Sequence, residues 1–218
     1  FKIPSGEIDN IPYLKKISDL NTKVILSTGM SELNEIENAV KIFSRQKKKN
    51  NLSLLHCISS YPTNFDEVNL KSIPYLNKKF KCQVGFSDHT TSTLIPSLAV
   101  CFGATIIEKH FTYNKKLSGP DHFMSLNEFE LSKMIENIRI TEKSSGTPGK
   151  FVNKNEKKNL IFARKSIFAK KKILKGDILN EQNLIIKRPS IGISPTNYYK
   201  IIGKKAKKNF EPDQKIEI

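Results

Sequence analysis

Residues 83–110 read QVGFSDHTTSTLIPSLAVCFGATIIEKH, and their pattern decides the fold. Two short apolar runs, Gln83–Ser87 and Ala104–His110, flank a longer helical pattern over Ser92–Phe102. Both runs are short, rich in Val, Ile and Phe, and flanked by polar or Gly residues, as for strands buried on both faces. Strand, helix and strand in this order make a right-handed crossover between parallel neighbours. Both strands end in polar residues, Ser87 to His89 and Glu108 to His110.

The same unit recurs upstream. Phe1–Ile3, Val24–Ser27 and Leu52–Cys57 are further strand candidates. Ser31 caps a helix running through Ala39 and Phe43, with Glu35 and Glu37 near its positive end. Asn69–Phe80 and Asn127–Lys143 complete the helices; in the second, Phe129, Met134, Ile135 and Ile138 recur at helical spacing. No Gly-rich dinucleotide fingerprint follows any strand. Polar residues stand at each strand end instead: Lys2 and Ser5, Ser27 and Thr28, Ser59 to Tyr61. On a barrel those ends form the active-site face. The fold class expected is therefore α/β: about five βα units forming the C-terminal portion of a TIM (β/α)8 barrel over residues 1–145. The chain opens inside a strand without an initiator Met, so three earlier units are expected to be missing. Such a portion alone is expected to be inactive and to carry two unpaired sheet edges.

From Gly146 to Asn159 the composition shifts to Gly, Pro, Asn and Lys, which reads as a linker. Residues 160–218 then alternate short β-rich runs, Ser166–Ala169 and Leu184–Lys187, with turn signals at Lys175-Gly176-Asp177 and Asn180–Asn183. This is expected to be a small, mostly β domain.

The 218 residues carry 37 basic and 21 acidic side chains, a net charge of +16. Residues 151–218 hold seventeen Lys/Arg against six Asp/Glu. Only four of the basic residues are Arg (Arg45, Arg139, Arg164 and Arg188), whereas base readout favours the guanidinium fork. The basic segment also lacks aromatic clusters. A solvated lysine surface is expected rather than a nucleic-acid face. Apolar runs are too short to span a membrane, and no signal peptide is visible. Cys57, Cys82 and Cys101 are odd in number and widely spaced, which fits a reducing, cytoplasmic setting.

His89 and His110 end consecutive strands and can converge on a divalent metal, leaving positions for water and substrate. Glu108, two residues before His110, is either a partner of that imidazole or an interior carboxylate paired with a lysine such as Lys2. Lys2, Ser5, Ser27 and Ser87 suit a phosphate or carboxylate. Asp121 lies in a loop beyond the last strand.

Lys2-Ile-Pro-Ser-Gly-Glu, Leu26-Ser-Thr-Gly-Met, Leu55-His-Cys, Tyr61-Pro-Thr, Glu67-Val-Asn-Leu, Gly85-Phe-Ser-Asp-His-Thr, Gly103-Ala-Thr-Ile-Ile-Glu-Lys-His-Phe, Gly119-Pro-Asp-His and Lys187-Arg-Pro resemble, in order, the sialic acid synthase family. The resemblance implies condensation of phosphoenolpyruvate with an N-acylated amino sugar such as N-acetylmannosamine, with release of phosphate. It implies a barrel followed by an antifreeze-like SAF domain, and a homodimer in which that domain is swapped. It further implies Mn2+ or Mg2+ on His89 and His110. Lys2, Ser5, Ser27 and Ser87 are then phosphoenolpyruvate contacts, and Tyr61 and Asp121 surround the sugar. Phe162 and Arg188 would reach the active site of the other subunit. Ser59, followed by Ser60, stands where many members have Asn. Three acceptors are open: N-acetylmannosamine, a diacetamido-trideoxyhexose of the legionaminic or pseudaminic type, and a 6-phosphorylated sugar. Two other readings compete with the synthase: a metal-dependent aldolase on the same barrel, and a non-catalytic carbohydrate-binding remnant.

Overall fold

Helix and strand signals in the first 147 residues build one curved, fully parallel sheet wrapped by helices. The computed structural model describes residues 1–20, 22–44 and 51–217; Arg45 lies outside them. Two units divide the chain, Phe1–Thr147 and Pro148–Ile218.

In the first unit β1 (Lys2–Ile3), β2 (Val24–Ser27), β3 (Leu52–Cys57), β4 (Gln83–Asp88) and β5 (Ile107–Lys109) lie in the order of the sequence, all parallel. Helices α1 (Ile11–Asp19), α2 (Leu33–Ser44), α3 (Ser72–Phe80) and α4 (Ile95–Cys101) cross between them, and α5 (Glu128–Ser145) follows β5. These are five consecutive βα units of the barrel architecture. A flat sheet would hold β1 and β5 about 19 Å apart, at roughly 4.8 Å per strand. Lys2 Nζ instead lies 3.1 Å from Glu108 Oε2, so the sheet curls until side chains of its first and last strands meet.

Alternation along the strands sorts the residues. Ile3, Val24, Leu26, Leu52, Leu54, Val84 and Phe86 are buried against Leu14, Ile36, Ala39, Val40, Phe43, Ile73 and Leu76 of the helices. The other phase, Lys2, Ser27, Leu55, Cys57, Gly85, Ser87 and Glu108, faces the concave side. Gly85 is there because the strands approach closely: a Cβ would lie 2.4 Å from the Ile106 carbonyl oxygen and 2.6 Å from Leu55 Cδ2.

Three elements differ from the sequence expectation. α1 is an additional helix; its signals are the Asn10 side chain accepting from Tyr13 N–H and Pro12 in the first turn. β5 spans three residues rather than seven, because Thr105 and Ile106 reach β4 only through single backbone bonds and His110 already turns to Leu126. In α5 only Met134 is fully buried, and Phe129 is 80% exposed, so helical spacing there does not mark a core stripe.

The second unit opens with α6 (Lys154–Ala163), which starts inside the stretch read as linker. An Asn153–Glu156 capping box supplies its start signal. β6 (Ser166–Ala169) pairs antiparallel with β7 (Leu184–Lys187), and α7 (Tyr198–Ile201) follows. Single bridges from Phe168, Ile173 and Ile178 tie in the C-terminal segment. Ile167, Ile173, Leu179, Leu184, Phe210 and Ile216 form its core. Gly176, at φ +93°, makes the turn expected at Lys175–Asp177.

Gly85→Ala is expected to lower unfolding stability by about 1–3 kcal/mol, the range for overpacking a dry interior. Gly6→Ala, where a Cβ meets nothing within 4 Å, should leave it within about 1 kcal/mol. Urea unfolding of the two variants checks the contrast.

Candidate active site

The C-terminal ends of β1 to β5 surround a cavity of about 360 Å³, lined by Lys2, Ser5, Ser27, Ser59, Tyr61, Ser87, His89 and His110, with Cys57 and Glu108 between them. A larger cavity of about 850 Å³ lies at the opposite strand ends, lined by Lys23, Lys78, Lys81 and Gln83. It brings together none of the site residues expected from the sequence, whereas the smaller one is lined by eight of them; Asp121, Phe162 and Arg188 do not line it.

β1 places Lys2 against Glu108, and Ser87 Oγ donates to Glu108 Oε1 at 2.8 Å. Of the two roles open to Glu108, the structure shows the interior carboxylate paired with Lys2. His110 Nδ1 instead lies 3.7 Å from Asp121 Oδ2, which brings the loop residue Asp121 to the metal-type pair. Ser27 Oγ is buried and, among the described residues, is the buried side-chain oxygen left without a hydrogen-bond partner. Such an orphan, in a cavity that Lys2 also lines, suits an anionic ligand.

His89 and His110 do converge: their ring centroids are 5.4 Å apart. Tyr61 lies over His89 with centroids at 4.2 Å and meets His110 edge-on at 6.0 Å. His89 Nδ1 is 2.7 Å from the Ile58 carbonyl. A carbonyl only accepts, so Nδ1 carries the proton there and the neutral ring keeps its lone pair on Nε2. That backbone bond is the arrangement a metal-ligating imidazole needs. Among the described residues no group of three or more His, Cys, Asp and Glu could hold a metal by itself. Two imidazoles with open positions nevertheless fit a divalent cation completed by water and substrate.

Sequence reasoning misses Cys57 and Gly29. Cys57 Sγ lies 3.8 Å from Ser5 Oγ and 4.0 Å from His89 Nδ1. Burial pushes its thiol pKa up, but His89, Ser5 and Ser87 outweigh this and hold it below the usual range. Burial likewise pushes His89 down, and Cys57 with the Ile58 carbonyl outweighs it, raising the imidazole. Burial pushes the Tyr61 hydroxyl up. Gly29 N–H donates to Ser5 Oγ at 2.9 Å, and a Cβ there would sit 2.3 Å from Ser59 Oγ. Its signal, a glycine after a strand end, points to nothing until Ser5 and Ser59 close on it. Asp88, next to His89, points away from the cavity. Its carboxylate pairs with Lys109 at 2.7 Å, both side chains nearly fully buried at 0% and 3% exposed.

Phe162 and Arg188 belong to the second unit. Arg188 Nε donates to the Ala163 carbonyl at 3.1 Å, which sets it beside the segment carrying Phe162, whose ring is 73% exposed.

Comparison with known proteins matches residues 1–150 to the NeuB family and residues 164–216 to the SAF domain. The chain is 50% identical, over 99% of its length, to N,N'-diacetyllegionaminic acid synthase of Campylobacter jejuni, and covers 65% of that protein. It is 40% identical, over 95% of its length, to N,N'-diacetyllegionaminic acid synthase of Legionella pneumophila, and covers 59% of it. It thus spans about two thirds or less of the relatives it matches. Among solved structures, N-acetylneuraminic acid (sialic acid) synthetase of Leptospira borgpetersenii in complex with citrate is 40% identical. That match has a TM-score of 0.67 and covers 72% of this chain and 55% of the other. No helix among the described residues is long and apolar enough to cross a membrane.

The two strand-end ion pairs should differ in how much stability they lose with their charge. Lys2–Glu108 is more than a third exposed, so Glu108→Gln should change unfolding stability by less than about 1 kcal/mol. Lys109→Met strands a buried carboxylate and should cost about 3–5 kcal/mol. Denaturant midpoints of the intact protein measure both.

Proposed function

The chain belongs to the NeuB family, and from that premise we propose that it carries most of the active site of a nonulosonic acid synthase. The reaction is metal-dependent condensation of phosphoenolpyruvate with an N-acylated amino sugar, releasing phosphate. The acceptor we assign is a diacetamido-trideoxyhexose of the legionaminic type. Two relatives named for N,N'-diacetyllegionaminic acid, at 50% and 40% identity, support that choice over N-acetylmannosamine or a 6-phosphorylated sugar.

The observation that carries the reading is the pairing of an anion cradle with two converging imidazoles on one strand-end rim. Ser27 offers a buried hydroxyl without a hydrogen-bond partner among the described residues. Lys2 offers an ammonium held by a half-exposed carboxylate. With Ser5 and Ser87 they would take the phosphate and carboxylate of phosphoenolpyruvate, fixing its enol carbon. His89 and His110 would hold Mn2+ or Mg2+, which when bound supplies Lewis-acid polarisation of the sugar aldehyde oxygen. Asp121, beside His110, would accept hydrogen bonds from sugar hydroxyls. Tyr61 forms the wall over His89, and Ser59 the adjoining contact. The enol carbon forms the new C–C bond with the aldehyde carbon as the C=O π pair moves to the aldehyde oxygen, which takes up the proton that the adding water gives up. Water adds to the oxocarbenium-like carbon left behind, and phosphate departs from the tetrahedral intermediate with the C–O pair.

The resemblance to sialic acid synthases extends the proposal to a homodimer in which the SAF unit of one subunit serves the site of the other, through Phe162 and Arg188.

In the intact protein, His89→Ala or His110→Ala should reduce phosphate release from phosphoenolpyruvate plus diacetamido sugar by at least about 10³-fold, and chelator should do the same to the wild type. Wild-type rates in chelator would remove the metal. Bond formation without phosphate release would favour the aldolase, and sugar binding without turnover the carbohydrate-binding remnant.

The swapped arrangement is tested by mixing Arg188→Ala with His89→Ala subunits. One mixed site then holds both an intact metal pair and an intact Arg, and activity should return towards a quarter of wild type at random exchange. No recovery after confirmed subunit exchange would place each SAF unit over its own barrel.

A further inference from the structure

We propose that the buried Asp88–Lys109 ion pair is a positioning device that sets the spacing of His89 and His110. The inference rests on the reading that these two imidazoles share a divalent cation.

The backbone does not fix that spacing. The β4–β5 ladder pairs Phe86 with Ile107, Ser87 with Glu108 and Asp88 with Lys109, and there it ends. Past this point the strands part. The His89 carbonyl accepts from Thr63 N–H and the His110 carbonyl from Leu126 N–H, each in a different loop. The two imidazoles therefore stand one residue beyond the last register pair, on diverging chains.

Lys109 closes the gap. Its ammonium lies 2.7 Å from Asp88 Oδ2 and also donates to the Thr90 carbonyl. Asp88 in turn accepts from Thr90 N–H at 2.9 Å and from Thr90 Oγ1 at 3.1 Å. The residue before His110 thus grips the residues on both sides of His89. The interacting groups are dry: Asp88 and Thr90 are each 1% exposed and the Lys109 side chain 3%.

The cluster cannot act on a ligand directly. Asp88 and Lys109 share the strand phase of Phe86 and Ile107, which pack towards the helices, while Ser87, His89, Glu108 and His110 line the cavity. Nor does stability explain it. Two charges removed from water gain little over well-packed apolar side chains of the same volume. What an ion pair with three added hydrogen bonds provides, and an apolar pair does not, is one defined geometry. Burial holds the Lys109 ammonium below the usual lysine range, with Asp88 opposing the shift.

The test is Mn2+ titration of the intact protein, well below each variant's unfolding midpoint, followed by kinetics at saturating and limiting Mn2+. Lys109→Met should weaken Mn2+ binding by about 10–100-fold, the effect of losing a group that orients a metal-ligating imidazole. The apparent KM for Mn2+ should rise in step, with the KM for phosphoenolpyruvate within about twofold of wild type. The double variant Asp88→Leu/Lys109→Met should regain thermal stability yet keep the weakened Mn2+ binding. Should the single variant fail to fold, the double variant decides. Wild-type Mn2+ affinity in either folded variant would overturn the inference. His89→Ala separates this failure from that of the metal reading: if it binds Mn2+ as tightly as wild type, the imidazoles hold no metal and both ideas fall.

Discussion

Successive side chains of a strand point to opposite faces, and the whole first unit depends on that alternation. One phase of the sheet is Ile3, Val24, Leu26, Leu52, Leu54, Val84 and Phe86, each worth roughly 1.5–3 kcal/mol when buried against the helices. The other phase supplies Lys2, Ser27, Cys57, Ser87 and Glu108 to the cavity. Neither set can move without the other. A slip of one residue in β4 would drive Ser87 into the core and Phe86 into the cavity, so the apolar phase holds the polar one in register. The chemistry of the rim is thereby positioned by residues that never touch it.

This is also why the sheet is legible in the sequence and the details around it are not. β2 and β3 fall at the residues expected, because short, mostly apolar runs of four and six residues between polar segments have few alternative readings. That His89 and His110 share one rim is legible because they stand one residue past the ends of two neighbouring strands; their 5.4 Å spacing is not. α1 escapes the sequence reading because its buried Leu14 and Ile17 stand among the polar Lys15, Lys16 and Ser18, and its clearest signal is a single Asn10 cap. β5 reads too long because Ala104–His110 is apolar enough for a strand, whereas ladder bonding is decided by the partner β4. α6 is hidden in a stretch whose Gly and Pro dominate the composition, although its start depends only on Asn153 and Glu156. Cys57 and Gly29 matter through contacts with Ser5, Ser59 and His89, between 24 and 52 residues away, and no local pattern encodes such proximity.

The basic character of the second unit has a different origin from its fold. Its core is Ile167, Ile173, Leu179, Leu184, Phe210 and Ile216, all buried and all apolar. Its lysines lie outside, and several pair with nearby carboxylates: Lys172 with Glu211, Lys187 with Asp213, and both Lys208 and Lys215 with Glu217. Exposed pairs of this kind contribute at most about 1 kcal/mol each. The charge therefore decorates a fold that apolar packing holds, in keeping with a solvated lysine surface.

Adjacent residues at the ends of β4 and β5 show how one strand end serves two purposes. Residues 87 and 108 face the cavity, and 88 and 109 face the helices. Towards the cavity Ser87 and Lys2 converge on Glu108, with side chains of Lys2 and Glu108 35% and 40% exposed. Solvent keeps that pair weak, so under the proposed function an anionic substrate would take Lys2 from Glu108 at little cost. Towards the helices Asp88 and Lys109 are sealed from water, and separating them would strand a charge in the core. The solvent-exposed pair thus lies on the cavity side, and the sealed pair on the side of the helices. Because the two are one residue apart, the rigid pair holds the strand end still while the loose pair on its other side is free to change partners.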